Sequence, residues 1–409
     1  LDTEKLFCNC PSVLRKDAPD FIVRRKLHAI AGESGEIDTA VRYHASLDKE
    51  FFYQGYGTTC LVELDESPPR EINAEAMKIA IQIELLFNSK IFPITQIMRK
   101  TVVDGSNTSG FQRTVVIAHG GFVETSYGKV GIESVCLEED SARIIEAREG
   151  KAVYRIDRLG IPLIEIATAP DIKNPEQARE TALHIGNILR SFSVKRGIGT
   201  IRQDVNVSVR NGKRIEIKGV QDPDLIRKSV ELEAKRQIGL IKGKKNFDSE
   251  VRKVLESGET EFLRPMPGAA RMYPETDLPI LKISRDFINE AKKTLPKSRQ
   301  EEEQELKKQG LNTHTISLLS KTGKMKEFTE FYKIVKEPKL ISDVLVNYPR
   351  YIAGHGKMSL EEIDGVLTKE ILMILLEKVK KGELKRDMLR HAIERFVETK
   401  NLEEALRFE

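Results

Sequence analysis

Along the first 280 or so residues, short runs of alternating apolar and polar side chains recur between turn residues. They read RTVVIA at 113–118, ESVCLE at 133–138, AVYRID at 152–157, PLIEIA at 162–167, TIRQDVNVSVR at 200–210 and KRIEIK at 213–218. A period of two sends successive side chains to opposite faces, so each run predicts a strand. Three stretches keep a helical period instead. Asn73 caps one that runs through AEAMKIAIQIELLF. Asn174 with Pro175 opens a second, with Ala178, Ala182, Leu183, Ile185 and Leu189 near one face, and a third follows Pro223. Asn at the cap and Pro in the first turn suit helix starts, where the first amides have no acceptor within the helix.

After about Pro279 the texture changes to short, charged helices. Ser284 predicts a cap, and Ser359 with Glu362 a capping box. The longest apolar runs, such as ILMILL at 371–376, are far too short to cross a bilayer. The expected fold class is α+β, with a sheet-rich domain and flanking helices over 1–283 and an all-helical domain over 284–409.

Within the strands, carboxylates stand where apolar neighbours make solvation costly. Glu165 lies among Leu163, Ile164, Ile166 and Ala167, a pattern that suggests burial on both faces. In CLEED at 136–140, Glu139 shares a face with Val135 and Leu137, while Glu138 faces the other way with Ser134 and Cys136. An ionised carboxylate buried without a partner costs several kcal/mol or takes up a proton. In 200–218, one strand face collects Arg202, Asp204, Asn206, Glu216 and Lys218, provided that a three-residue loop at 211–213 pairs Ser208 with Glu216. Oxygen donors of this kind suit Mg²⁺. From spacing alone a metal site and ordinary ion pairs remain open, and for Glu138 and Arg202 taken singly the ion pair is favoured.

Charge narrows little. Lys and Arg number 67 against 63 Asp and Glu, a net +4, with a dense basic run, KKGELKR, at 380–386. Four cysteines, Cys8, Cys10, Cys60 and Cys136, are too few for a disulfide framework, which points to a reducing, cytoplasmic setting. No basic-then-apolar signal opens the chain, which begins without methionine, so further residues are expected upstream. The sequence has no GxxxxGK[ST] loop, no strand-linked GxGxxG, no HExxH and no GxSxG, and no acyl-transfer nucleophile stands beside a base.

Longer motifs carry a resemblance. IDRLGIPLIEIATAPDI at 156–172, IRQDVNVSVR, IEIKGV and RPMPGAARMYPETDLP at 264–279 resemble the tRNA-dependent amidotransferase B/E subunits over nearly the whole chain. The last motif and IEIKGVQD resemble the archaeal E subunit more than the bacterial B subunit. The resemblance implies a ligase with a sheet-rich "cradle" domain and a helical domain that contacts tRNA. It would turn Glu-tRNA(Gln) into Gln-tRNA(Gln): ATP phosphorylates the glutamyl side chain, and ammonia displaces the phosphate. Ammonia would come through a channel from an asparaginase-type amidase partner in a hetero-oligomer.

Carried over by position, the resemblance implies Mg²⁺ held by Glu139 and Glu165, with Glu216 a further ligand. Asp204 matches an essential acid beside the metal, and Lys100 in MRKTVVDG a catalytic lysine. Arg202, Asn206, Lys218, Arg271 and Glu275 are the expected nucleotide- and substrate-binding residues. Three family segments are missing here: a Gly-Leu-Glu-x-His stretch whose place is just before Leu1, an insertion resembling part of aspartyl-tRNA synthetase near 242–250, and a tail domain. An incomplete version of a longer protein is therefore expected. Cys8-Asn9-Cys10 resembles half of a zinc knuckle. Cys60 would be a third ligand, but no fourth cysteine is in place, so unmetallated thiols are expected. Two other readings are a non-catalytic tRNA-binding scaffold for an amidase, and a bacterial-type B subunit.

Overall fold

The computed structural model describes all residues except 33–34, 196–199, 269–271, 297–298, 357 and 408–409. It is an α+β chain in two compact units, Leu1–Pro296 and Lys297–Glu409. The first centres on an antiparallel sheet with strand order Pro162–Thr168, Gly128–Glu139, Phe111–His119, Met98–Thr101, Met272–Pro274. One face is covered by the Asn73-capped helix Ala74–Leu86, whose Met77, Ala80 and Ile81 pack with Val115, Ile117 and Leu137 of the sheet. Each fully buried Ile, Leu or Val contributes about 1.5–3 kcal/mol, so this layer fixes which sheet face turns inward.

A two-stranded sheet and two four-stranded ones complete the β-structure of this unit. One has the order Phe21–Arg25, Glu50–Gly55, Lys151–Arg155, Arg143–Arg148. The other runs Val205–Val207, Ile215–Lys218, Glu250–Val254, Thr260–Pro265. Helices Pro175–Leu189 and Pro223–Lys242 bring Ala178 and Ile226 against its Val207, Ile215 and Ile217.

The division of the chain falls later than the expected 283/284 boundary. Helix Arg285–Lys293, capped by Ser284, belongs to the first unit: Gln82 donates to the carbonyls of Ala291 at 3.0 Å and Thr294 at 2.8 Å. The cap residue marks where a helix begins, but the buried amide on the neighbouring helix decides where it packs. Among the described residues of the second unit every regular element is a helix, around a core that includes Leu319, Phe328, Phe331, Leu375 and Ile393. The capping box of Ser359 and Glu362 forms as expected.

Candidate functional site

Two carboxylates and one ammonium converge on the open face of the central sheet. In the antiparallel register, Glu138 stands opposite Thr114 and Leu163, while Cys136 stands opposite Val116 and Glu165. Opposed residues share a face, so Glu138, Cys136 and Glu165 point the same way. Lys100, opposite Gln112 on the next strand, reaches across to them. Its Nζ donates to Glu138 Oε1 at 2.8 Å and lies 3.6 Å from Glu165 Oε2. The Glu138 side chain is 4% exposed and that of Glu165 55% exposed. The cluster is thus closed at one end and open to solvent at the other.

Its electrostatics are those of one pair sharing one cation. Burial alone would raise the Glu138 carboxyl, but the Lys100 ammonium outweighs it and holds it below the usual range. Glu165 moves the other way: desolvation, then the charge of Glu138, push it up against the pull of Lys100. Cys136, between them, is pushed to about 12 by burial and then by both carboxylates, and stays a neutral thiol. The expected two-sided burial of Glu165 is not observed. Pro162–Thr168 is an edge strand, and only its Ile164 and Ile166 meet the core.

Glu139, one residue along from Glu138, points through the sheet to the interior. Its Oε2 accepts from the Arg113 amide at 3.2 Å and lies 3.5 Å from the Arg113 guanidinium. Arg113 Nε donates to Glu275 Oε2 at 2.7 Å, and Arg99 joins Glu275 to Asp277, the latter at 2.9 Å. The Phe111 ring lies 4.5 Å from the Arg99 guanidinium and 5.1 Å from that of Arg113. Burial raises the Glu139 carboxyl in spite of Arg113, whereas Arg99 and Arg113 together overcome burial and hold Glu275 down. Glu139, Glu165 and Glu216 therefore do not form one ligand set. The sheet separates the first two, and Glu216 stands on another sheet. Glu275, expected to bind substrate, is 1% exposed within the arginine network.

The small sheet does collect the expected polar face. Lys218 Nζ lies 2.6 Å from Asp204 Oδ2 and 2.9 Å from Glu216 Oε1, and these carboxylates outweigh burial to raise the lysine. Asn206 accepts from Arg214 at 2.9 Å. Asn206, not Ser208, pairs with Glu216. This two-residue slip keeps every side chain on its expected face. The longer loop is held by Gln237 of the adjacent helix, which accepts from the Val209 amide at 3.4 Å and donates to the Val207 carbonyl at 3.2 Å. Arg202 leaves this face and donates to Asp140 Oδ1 at 2.8 Å, meeting the last acid of CLEED. Arg271 lies outside the described residues.

Among the described residues, a single group of three or more Cys, His, Asp or Glu has ligand-forming geometry. It comprises Cys8, Cys10, Cys60 and Glu63, with donor atoms within 4.8 Å of one another. The fourth donor is thus a carboxylate, three residues beyond Cys60. Three thiols and one carboxylate suit tetrahedral Zn²⁺. Lys5, buried with Glu63, forms a 2.5 Å ion pair with it. Burial and then the Glu63 charge push Cys10 up to about 12 and Cys8 further.

The sequence reading missed Glu138 in the site, and Glu63 and Lys5 beside the cysteines. Only the pairing of strands points to Glu138. Residues 1–289 match the model of the GatB/GatE catalytic domain. A Methanocaldococcus jannaschii protein named as the E subunit of glutamyl-tRNA(Gln) amidotransferase is 38% identical, covering 75% of this chain and 70% of its own. Proteins of the same name from Methanococcus maripaludis and Pyrobaculum aerophilum are 32% and 34% identical, over 98% and 95% of this chain and 85% and 86% of theirs. The M. maripaludis alignment runs to 550 positions against a chain of 409, so that relative carries internal residues with no counterpart here. On the family match and these extended alignments, the chain belongs to the GatB/GatE catalytic-domain family.

Proposed function

We propose that this chain is the subunit of a glutamyl-tRNA(Gln) amidotransferase that activates the glutamyl side chain of Glu-tRNA(Gln) with ATP and amidates it. Ammonia comes from an asparaginase-type amidase partner in a hetero-oligomer. The observation that carries this reading is Lys100 held between Glu138 and Glu165 on an open sheet face. Phosphoryl transfer between two anions needs positioning and fixed positive charge more than covalent help. Lys100 offers such a charge between the two carboxylates, and Arg202 offers another where it meets Asp140.

Mg²⁺ is the ion that this reading implies. Glu138 and Glu165 fit it as hard oxygen donors, one buried and one open to solvent, with a single ammonium between them. Bound there, it would neutralise phosphate charge. Lys100 would orient a nucleotide oxygen, while the covered inner face of the sheet keeps water from the buried end. Asp204 with Lys218 and Glu216 form a second polar face that contributes to nucleotide or substrate binding.

Ammonium chloride in place of the amidase isolates the chemistry of this chain. ATP-dependent Gln-tRNA(Gln) formation is expected to fall at least ~100-fold in Lys100→Met, Glu165→Gln and Asp204→Asn, with tRNA binding retained. Undiminished turnover in Lys100→Met and Glu165→Gln would remove this cluster from the chemistry, whereas no turnover in the unsubstituted chain without the amidase would favour a non-catalytic scaffold.

A further inference from the structure

We infer that Lys100 is a resident counter-cation occupying the divalent-ion position, and that metal binding displaces it and frees its ammonium for an incoming phosphate. The inference rests on the proposed function, and concerns how that site is loaded. Three observations carry it. First, the ammonium lies within 2.8 Å of one carboxylate and 3.6 Å of the other, where an ion shared by Glu138 and Glu165 would sit. Second, neither carboxylate has another cationic partner among the described residues, so their two negative charges are met by one positive charge. A dication would complete that balance; a dication together with the ammonium would exceed it.

Third, Lys100 is built to leave. It is rooted opposite Gln112, with the Phe111–His119 strand between it and Glu138. Two strand spacings are about 10 Å, a span bridged here by a flexible side chain. Turning its rotatable bonds withdraws the ammonium without moving the sheet. The exposed flank of Glu165 leaves a path for the ion to enter. Arg113 on the inner face has no such freedom, because its guanidinium is fixed to Glu139 and Glu275 and is buried.

The test uses full-length protein without nucleotide and measures Mn²⁺ binding by calorimetry and electron paramagnetic resonance, with folding checked by thermal melts. Lys100→Met is expected to bind Mn²⁺ at least tenfold more tightly than wild type, and Glu165→Gln at least tenfold more weakly. Lys100→Gln serves where Lys100→Met fails to fold. In wild type, saturating Mg²⁺ is expected to increase acylation of Lys100 by an amine-reactive reagent at least threefold, read by peptide mass spectrometry. Unchanged or weaker binding in the Lys100 variants, or unchanged acylation, overturns the displacement. Unchanged binding in Glu165→Gln overturns instead the metal-binding pair on which the displacement depends.

Discussion

Glu138 and Glu139 are consecutive glutamates on one strand, both nearly inaccessible to solvent, and their surroundings differ in kind. Glu138 is met by a single long lysine on an open face. Glu139 is met by an arginine that is itself tied to a second buried carboxylate, with aromatic rings packed around it. The inner arrangement is over-determined and rigid, as befits a structural tie between strands. On the outer face the balance is minimal and reversible, as befits a site that must exchange partners. The same side chain serves either purpose according to how many fixed charges surround it and whether water can reach them.

Removing Arg113 should break this contrast most severely. Arg113→Met strands Glu139 and half of the Glu275 pairing in the interior, and is expected to cost about 3–5 kcal/mol in urea unfolding. A loss under 1 kcal/mol would show that the inner network is not the structural tie described.

Glu84 supplies a third case, a buried carboxylate with no cationic partner among the described residues. Burial raises it to about 7, against a slight opposing pull from Ser89. Its folded value exceeds the ordinary 4.5, so its contribution is present below that value and is lost as pH rises towards 7. Glu84→Gln should flatten that decline and stabilise the protein by about 3 kcal/mol at pH 8 relative to its effect at pH 4. A parallel offset at both pH values would argue against an ionising Glu84.

The lysine on the open face sets the sign of a further pH dependence. With Lys100 present, Glu138 is held below the usual carboxylate range. Its contribution is therefore in place above that range and is lost as pH falls through it. In Lys100→Met, burial is opposed only by the hydrogen bonds from Thr114 and Glu165, so the carboxyl rises and its contribution to stability should decline as pH rises, by about 1–3 kcal/mol near pH 7. Thermal melts across pH 3–8 should show the gap in stability between the two proteins widening as pH rises. Glu165→Gln should be the mildest change, within about 0.5 kcal/mol, because that side chain is half in water. Its effect should fall on turnover and metal affinity instead.

Much of the architecture was legible in the chain. Period-two alternation separated Glu138 from Glu139, and put Asp204 and Asn206, and Glu216 and Lys218, on shared faces. These local assignments survived even the two-residue slip in the 205–218 hairpin, because parity is unchanged. The family motifs, from IDRLGIPLIEIATAPDI to RPMPGAARMYPETDLP, pointed to the family that the alignments bear out. Less was legible wherever two distant segments had to be matched. Ser284 was visible as a cap, yet Gln82, some 200 residues earlier, decides that its helix belongs to the first unit.

What the sequence determined by itself was therefore the type of those elements whose period it showed, and the face each side chain takes within its own strand. Those follow from bond geometry over three or four residues. Only the tertiary structure decided that Pro162–Thr168 lies at the sheet's edge, that Glu165 meets Glu138 and not Glu139, and that Glu63 joins three cysteines and pairs with Lys5. Those outcomes depend on strand order, register and loop closure, where contact between remote residues is set by the packing of the whole core.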